Sequence, residues 1–406
     1  MTDTATEKLL STANRGSAKF IERLGGALTA GQLTVTTSNG KVFRFLGPED
    51  GPHAELELLK PGLARKILAG GDVGFAEAYI DGICDSPDLT ALIELGAINE
   101  YASWASFLKG RNLYRWFARL GHASRSNSKR GAKRNIKSHY DLGNDFYALW
   151  LDPTMTYSSA VYPDTRSTLE EAQRHKYQLL IDQLELEPSH HLLEIGCGWG
   201  GFAIYAAEMI GCKITAVTIS QAQYDFARRR IEHARLSDKI TLLLRDYRDL
   251  EGRFDRIASI EMLEAVGESY WSSYFTKLSA LLEQGGRAAL QVITIDKNYW
   301  QSYRSNPDFI QQYIFPGGML PTIERLQDEA GRASLAWERC QGYATDYAKT
   351  LAEWREAFHV AWPKLQELGF DEQFRRMWHY YLCYCEAGFN IGRIDVDHIT
   401  LRRVNQ

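Results

Sequence analysis

Short apolar runs alternate with helical patterns through the second half of the chain. The apolar runs predict five strands, at residues 191–196, 213–219, 240–245, 254–260 and 287–295. Amphipathic stretches predict helices before and between them, including residues 166–185 and 220–235. Strands and helices that alternate at this spacing are typical of a parallel sheet with right-handed crossovers. We therefore expect an α/β fold with a doubly wound sheet.

A different pattern precedes this sheet. Residues 27–48 alternate apolar and polar positions on both sides of Ser38-Asn39-Gly40, which predicts a β-hairpin. Residues 61–100 have a helical pattern that breaks at Gly70-Gly71 and at Asp81-Gly82. Together these elements predict a small α+β domain.

The pattern divides the chain into an N-terminal domain at residues 1–108, a linker at residues 109–137 and a second domain at residues 138–406. Residues 296–325 interrupt the second domain with many aromatic side chains, and a loop of this length is typical of a lid over a site. The helical stretch 348–391 predicts a C-terminal cap on one end of the sheet.

Charge and composition narrow the function classes. The chain has 406 residues, 45% of them hydrophobic, and a net charge of −4, so no overall basic field points to nucleic acid. Ten Lys or Arg nevertheless fall in the 29 residues of the linker 109–137. We interpret this basic linker either as a solvated tether or as a contact with anionic lipid, to which each basic residue contributes about 1 kcal/mol.

Several sequence features point to the cytoplasm. The N-terminus has no signal-peptide pattern, and no apolar run approaches the ~18 residues that span a bilayer. The six cysteines show no paired CxxC spacing, so we expect free thiols and no metal site.

A glycine-rich turn follows the first predicted strand of the sheet. Glu194 is followed by Gly196, Gly198, Gly200 and Gly201, where bare backbone lets a nucleotide-like cofactor approach. A dinucleotide site also requires an acid at the end of the second strand, and none occurs there. With its acid two residues before the turn instead, the pattern favours S-adenosylmethionine over nicotinamide or flavin.

Further cofactor contacts are expected where the other strands end. Open α/β sheets bind ligands at the carboxyl ends of their strands. The candidates there and in the segment before the sheet are Tyr157, Ser158, Thr218, Ile219, Gln223, Asp246 and Tyr247. Asp246 is placed for the adenine amine.

From residue 139 onward the chain resembles the cyclopropane-fatty-acyl-phospholipid synthase family. The matching stretches include His139-Tyr140-Asp141-Leu142-Gly143-Asn144, Glu194 to Gly201, Asp246 to Leu250, Met262-Leu263-Glu264 and Tyr313-Ile314-Phe315-Pro316. The resemblance implies a class I, Rossmann-like methyltransferase sheet and addition of a methylene group across a cis double bond of a membrane phospholipid. It also implies a peripheral enzyme on the inner face of the membrane, in contact with the bilayer surface and often a homodimer.

The resemblance also implies a set of catalytic residues. Members of the family hold a bicarbonate ion that removes the final proton, and its ligands map to Glu264, Tyr347, the backbone of Ile295 and Ser159. His139 is a further candidate, with a structural role as its alternative. The aromatic faces of Tyr313, Phe315 and Tyr347 are candidates to stabilise a carbocation.

Two expected bicarbonate ligands are absent from the chain. Ser159 stands where the family has a Cys, and Ile293 where it has a His. Bicarbonate is therefore doubtful, and two products stay open: a cyclopropane, or a methylene-branched chain formed after a hydride shift. A methyltransferase of small soluble substrates and a non-catalytic lipid-binding protein are the competing function classes.

Overall fold

The chain divides into two structural units. The structure, a computed structural model, describes residues 21–99 and 142–404. Within them, the first unit comprises residues 21–99 and 369–391, and the second comprises residues 142–368 and 392–404. The predicted basic linker lies outside the described residues.

A small mixed sheet forms the core of the first unit. Its strands lie in the order β2-β1-β3-β4 and are β1 Ala30–Thr37, β2 Val42–Leu46, β3 Glu49–Leu58 and β4 Cys84–Asp85. β1 and β2 are antiparallel with Val35 opposite Phe43, and Gly40 in the turn has a φ of +79°. The predicted hairpin is confirmed.

Two helices follow in this unit, α1 at Leu63–Ile80 and α2 at Leu89–Ile98. α1 is kinked at Gly71, whose φ of 61° and ψ of −130° are not helical. Asp81 caps the end of the helix, and Gly82 follows with a φ of 63°. Both predicted breaks are confirmed, because glycine adopts these angles at little cost.

Seven strands form the sheet of the second unit. They are β5 His191–Ile195, β6 Lys213–Thr218, β7 Ile240–Leu244, β8 Phe254–Ile260, β9 Leu282–Ile295, β10 Leu335–Gly342 and β11 Ile394–Arg403. Their order is β10-β11-β9-β8-β5-β6-β7, with β5 to β9 mutually parallel and β11 antiparallel to both of its neighbours. The doubly wound sheet and its first five strands are confirmed.

The helices of this unit are α3 Asn144–Ala148, α4 Leu169–Leu184, α5 Gly201–Ile210, α6 Gln221–His233, α7 Trp271–Leu281, α8 Lys297–Ser305, α9 Ile323–Arg332 and α10 Ala344–Glu367. Side chains of the parallel strands β5 to β9 alternate between two apolar cores, as β geometry requires. Leu192, for example, belongs to the core that contains α4 and α5, and Leu193 to the core that contains α7.

The segment 296–325 is more regular than its sequence indicates. It contains α8 and a π-helical turn at Ile310–Ile314, whereas an irregular loop was predicted. Two backbone bonds hold its later part: Met319 N–H donates to the carbonyl of Glu264, in the segment after β8 (3.0 Å), and Ile295 N–H, at the end of β9, donates to the Pro321 carbonyl (2.9 Å).

The last helix, α11 Glu372–Asn390, belongs to the first unit. The guanidinium of Arg376 donates to the carbonyls of Tyr79 (2.7 Å) and Cys84 (2.8 Å) and pairs with Asp85 at 3.0 Å. The predicted cap of the second domain therefore ends with α10, because these contacts place α11 among the helices of the N-terminal unit. No helix within residues 21–99 and 142–404 is both long and apolar enough to cross a membrane.

Candidate active site

The glycine turn after β5 is open to a ligand on one side and packed on the other. The N–H groups of Gly196 and Cys197 both donate to the Val217 carbonyl at 3.0 Å, which fixes the turn to β6. A Cβ at Gly196 would lie 2.8 Å from Cγ of Met262, whereas a Cβ at Gly198 would meet no described atom within 4 Å. The turn therefore offers bare backbone at Gly198 and touches the segment after β8 at Gly196.

The acid before the turn has an unused oxygen. Glu194 is 3% exposed, and no group of the described residues bonds to its Oε2. Burial raises the pKa of Glu194 to about 8, although the Ala203 N–H and the nearby Lys176 act against this rise. A buried acceptor without a partner fits a hydrogen-bond donor of the cofactor.

The predicted contacts on the neighbouring strands lie at carboxyl ends, as expected. The Thr218 hydroxyl donates to Oε1 of Gln223 at 2.8 Å, and both side chains are buried. Ile219 directly follows the last residue of β6. Asp246, followed by Tyr247, accepts from the guanidinium of Arg248 at 2.9 and 2.6 Å. Contact of Asp246 with adenine stays a prediction, since Arg248 already binds both of its oxygens.

The segment before the sheet is anchored by aromatic packing and by a buried lysine. The ring of Tyr157 packs against the rings of Tyr147 and Trp354, with centroid distances of 5.1 and 5.3 Å. Ser158 accepts a 2.8 Å hydrogen bond from Nζ of Lys176, a side chain with no exposed surface. Burial lowers the pKa of Lys176 to about 7, against the attraction of three carboxylates.

Two glutamates three residues apart follow β8, and their environments differ. Glu261 accepts from the Tyr347 hydroxyl (2.6 Å), from Ser159 N–H (2.8 Å) and from Gln291 Nε2 (2.6 Å). Glu264 accepts from Ile293 N–H at 2.5 Å, and its buried Oε2 has no partner among the described residues. We call Glu261 and Glu264 the acid pair.

The acid pair divides into one ionised and one protonated carboxyl group. Burial raises the pKa of Glu264 to about 8, and the negative charge of Glu261 raises it further. Burial also raises the pKa of Glu261, but its three donors and Lys176 oppose that rise. Neighbouring carboxyl groups with such different partners take opposite protonation states. The three donors therefore make Glu261 the carboxylate of the pair, and the proton lies on Glu264.

A buried chain of hydrogen bonds leads to Glu261 from β11. His398 Nε2 lies 2.9 Å from Oε1 of Gln291, and His398 Nδ1 lies 3.4 Å from Nε2 of Gln183. Burial lowers the pKa of His398 to about 3, so the ring is neutral. The chain holds the Gln291 amino group on Glu261.

The structure brings together only part of the predicted ligand set. Tyr347 and Ser159 meet, but on Glu261 and not on Glu264, and Ser159 does so through its backbone while its hydroxyl donates to the Ala160 carbonyl. The Ile295 N–H is taken by the Pro321 carbonyl. His139 lies outside the described residues.

These residues do not fit a bicarbonate ion. Two expected donors are already engaged, since the Tyr347 hydroxyl binds Glu261 and the Ser159 hydroxyl donates to the Ala160 carbonyl. The side chain of Ile293 has nothing to donate. A further anion here would also lie next to the ionised Glu261. The arrangement of these side chains therefore agrees with the sequence-based expectation that bicarbonate binding is doubtful.

Sequence reasoning missed four residues of this site: Lys176, Glu261, Gln291 and His398. Lys176 carried a signal, because it falls on the apolar face of α4 with Ala172 and Leu180. Glu261 carried a weaker one, as a charged residue three positions before a predicted catalytic acid. Gln291 and His398 are polar residues within strands, and nothing in their sequence pattern indicated a role in the site.

Comparison with known proteins agrees with this site. The family model described as mycolic acid cyclopropane synthetase matches residues 127–399, which is more than half of the chain. The chain belongs to this family.

Curated relatives cover most of the chain. The tuberculostearic acid methyltransferase UfaA1 of Mycobacterium tuberculosis is 39% identical over 84% of this chain and 81% of its own length. The cyclopropane-fatty-acyl-phospholipid synthase of Escherichia coli is 33% identical over 86% of this chain and 88% of its own. A crystal structure of the mycolic acid cyclopropane synthase CmaA1 with SAH and CTAB covers 66% of this chain and 98% of its own, with 31% identity and a TM-score of 0.63.

The resemblance predicted from the sequence is thus confirmed, and this member of the family is an S-adenosylmethionine-dependent methyltransferase. The open backbone at Gly198 and the unpartnered Oε2 of Glu194 fit that cofactor. When bound, it supplies an electrophilic methyl group.

Proposed function

We propose that the enzyme transfers this methyl group to a cis double bond of an unsaturated phospholipid acyl chain and closes a cyclopropane ring. The observation that carries the proposal is the contact of the cofactor turn with the acid-pair segment. A Cβ at Gly196 would lie 2.8 Å from Met262, which is between Glu261 and Glu264. The methyl donor and the acid pair are therefore neighbours, and good positioning lowers such a barrier by roughly 7–11 kcal/mol.

The chain's own groups support alkene chemistry in other ways. The lid is attached to the acid pair by the Met319–Glu264 backbone bond, which helps to exclude water from a carbocation. The ring of Tyr347 is 6% exposed and lies at the acid pair, so it is our candidate for cation stabilisation. Tyr313 is 42% exposed and stacks on Phe309, which makes it a weaker candidate.

The place of action is also a proposal. We infer that the enzyme works in the cytoplasm, at the inner face of the membrane, because its acyl substrate lies in the bilayer. The ten basic residues of the linker 109–137 support binding to anionic lipid. Vesicles of anionic phospholipid should retain the protein at low salt and release it at high salt. The homodimer implied by the family stays a prediction, and light scattering tests it.

Product analysis tests the reaction. The protein is expressed in a bacterial host that lacks its own cyclopropane synthase, and the methyl donor is labelled. We expect labelled acyl chains with the NMR signals of a cis cyclopropane. Labelling of small soluble molecules without any labelling of lipid would contradict the proposal and favour the soluble-substrate methyltransferase. No labelled product at all would favour a non-catalytic lipid-binding protein.

A second product has support of its own. The expected His is Ile293 in this chain, and one relative, 39% identical, is named tuberculostearic acid methyltransferase and not cyclopropane synthase. A methylene-branched chain would then form by a hydride shift and loss of a proton. Exomethylene signals without cyclopropane signals in the same lipid extract would establish this outcome.

A further inference from the structure

The acid pair contains a carboxylate that occupies the centre of the catalytic residues. Three donors from three separate segments converge on Glu261: the Tyr347 hydroxyl from α10, the Ser159 N–H from the loop before α4 and the Gln291 amide from β9. Part of the Glu261 residue remains accessible to solvent. The carboxylate is therefore held in one orientation by three parts of the fold.

Two of the three donors come from positions that the family would use for its ion. Two of the four predicted ligand positions, Tyr347 and Ser159, bind Glu261. A third position, Ile295, gives its N–H to the lid at Pro321. A side-chain carboxylate has the same charge and the same planar pair of oxygens as bicarbonate. It differs in being part of the chain.

The backbone at this position has the conformation of a glycine. Glu261 has a φ of +46°, which side-chain-bearing residues rarely adopt. Strained residues of this kind persist where the surrounding structure holds them, and they cluster at functional sites. Here the three hydrogen bonds to the carboxylate hold Glu261 in place.

We propose that the Glu261 carboxylate takes the place of the bicarbonate ion and is the base of the reaction. This inference rests on the proposed methyl transfer to an alkene. The alkene π electrons form a bond to the methyl carbon as the methyl–sulfur bond breaks, and the other alkene carbon becomes a cation. A C–H bond of the new methyl then breaks. Its electron pair closes the ring and its proton passes to Glu261, which returns it to water when the product leaves.

Glu264 is unsuited to this step because it is the protonated member of the pair. Its Oε1 accepts from the Ile293 N–H, and its Oε2 has no partner within the described part of the chain. A carboxyl group in this state cannot accept a second proton. The two acids therefore have different roles, and their amide variants should differ.

The test uses the purified full chain, vesicles of cis-unsaturated phosphatidylglycerol and labelled methyl donor, in buffer depleted of carbon dioxide. We expect the unchanged enzyme to turn over equally with and without added bicarbonate. Glu261→Gly should lose at least about 100-fold in rate, as expected for loss of a general base. Bicarbonate should restore much of that rate in a saturable manner, since glycine leaves room for the ion and relieves the left-handed backbone. Glu261→Gln should be inactive and should not be rescued, because its amide fills the same space.

Controls separate the possible failures. Glu187→Gln changes a glutamate whose side chain is 68% exposed and should leave the rate unchanged. A variant counts as folded when it binds S-adenosylhomocysteine within about twofold of the unchanged enzyme. This limit is well below the tenfold change in affinity that corresponds to about 1.4 kcal/mol. Stimulation of the unchanged enzyme by bicarbonate would overturn this inference but not the proposed function. A normal rate in folded Glu261→Gln, or in Glu261→Gly without added bicarbonate, would do the same. Absence of methyl transfer to lipid by the unchanged enzyme would overturn the proposed function.

Discussion

Nε2 of His398 lies 2.9 Å from Oε1 of Gln291, and this contact determines which end of the Gln291 amide faces the acid pair. Because the neutral imidazole donates through Nε2, the amide oxygen must face the histidine and the amino group must face Glu261, at 2.6 Å. Gln183 completes the chain at the other ring nitrogen. A residue of the last strand thus orients a donor on the proposed base.

Replacement of His398 by leucine should lower kcat and leave cofactor binding unchanged. Without its histidine partner, Gln291 is no longer prevented from turning its oxygen towards the Glu261 carboxylate. A hydrogen bond to a charged group contributes about 1.5–3 kcal/mol, so we expect kcat to fall by about 10- to 100-fold. Steady-state kinetics with a lipid substrate measures this. His233→Leu, on the exposed side of α6, is the control. A normal kcat in His398→Leu would contradict the orienting role.

The same histidine should make the fold sensitive to acid. The pKa of His398 is lowered from 6.5 to about 3 by burial, so the unfolded chain binds a proton in this window and the folded chain does not. The stabilisation is complete above pH 6.5 and is lost as the pH falls towards 3, at about 1.4 kcal/mol per pH unit. Urea unfolding between pH 7 and 5 should show a steeper loss in the unchanged protein than in His398→Leu. Equal slopes would contradict the buried neutral ring.

Glu264→Gln should retain activity within about tenfold, because an amide resembles the protonated carboxyl group that burial produces there. The Ile293 N–H keeps an acceptor in this variant. Glu264→Ala removes that acceptor and should lose more activity, because the buried Ile293 N–H is then unsatisfied, at a cost of about 1–3 kcal/mol. Initial rates at pH 7 compare the two. An inactive Glu264→Gln would show that Glu264 acts as an ionised base.

Much of the fold was accessible from the sequence because the buried parallel strands are apolar runs. β10 and β11 were missed for the opposite reason. β11 carries Asp395, Asp397 and His398, which are buried or half-buried and satisfied by hydrogen bonds, such as the one from Thr294 to Asp397 at 2.7 Å. A strand whose polar side chains have partners lacks the apolar signal that periodicity detects.

The parts of the site formed by residues close together in sequence were predictable. The parts formed by residues distant in sequence were not. The glycine turn lies within ten consecutive residues, so its role could be inferred directly. Glu261 acquires its role from Ser159, Gln291 and Tyr347, which lie 102, 30 and 86 positions away in sequence. Likewise, periodicity identifies α11 as a helix but does not tell which unit it packs against.

Replacement of Lys176 by methionine should reduce the rise in the free energy of unfolding with pH above pH 7. Burial lowers the pKa of Lys176 from 10.5 to about 7, so only the unfolded chain binds its proton in this window. The unchanged protein should therefore gain about 1.4 kcal/mol in free energy of unfolding per pH unit above pH 7, and Lys176→Met should lack this gain. Urea unfolding at pH 7, 8 and 9 measures the difference. Lys213→Met, at an exposed position of β6, is the control. A difference that is constant across these pH values would contradict the prediction.

Two glycines offer a matched test of the cofactor turn. Gly198 and Gly285 have φ values of 52° and 73°, and a Cβ at either would meet no described atom within 4 Å. Alanine should therefore destabilise both sites similarly, by about 1–2 kcal/mol of left-handed strain. Only at Gly198 would the methyl group occupy space that the cofactor needs. Isothermal titration with S-adenosylhomocysteine should show at least about tenfold weaker binding for Gly198→Ala, a loss of 1.4 kcal/mol, and unchanged binding for Gly285→Ala. Equal affinities in the two variants would mean that the cofactor does not approach the backbone at Gly198.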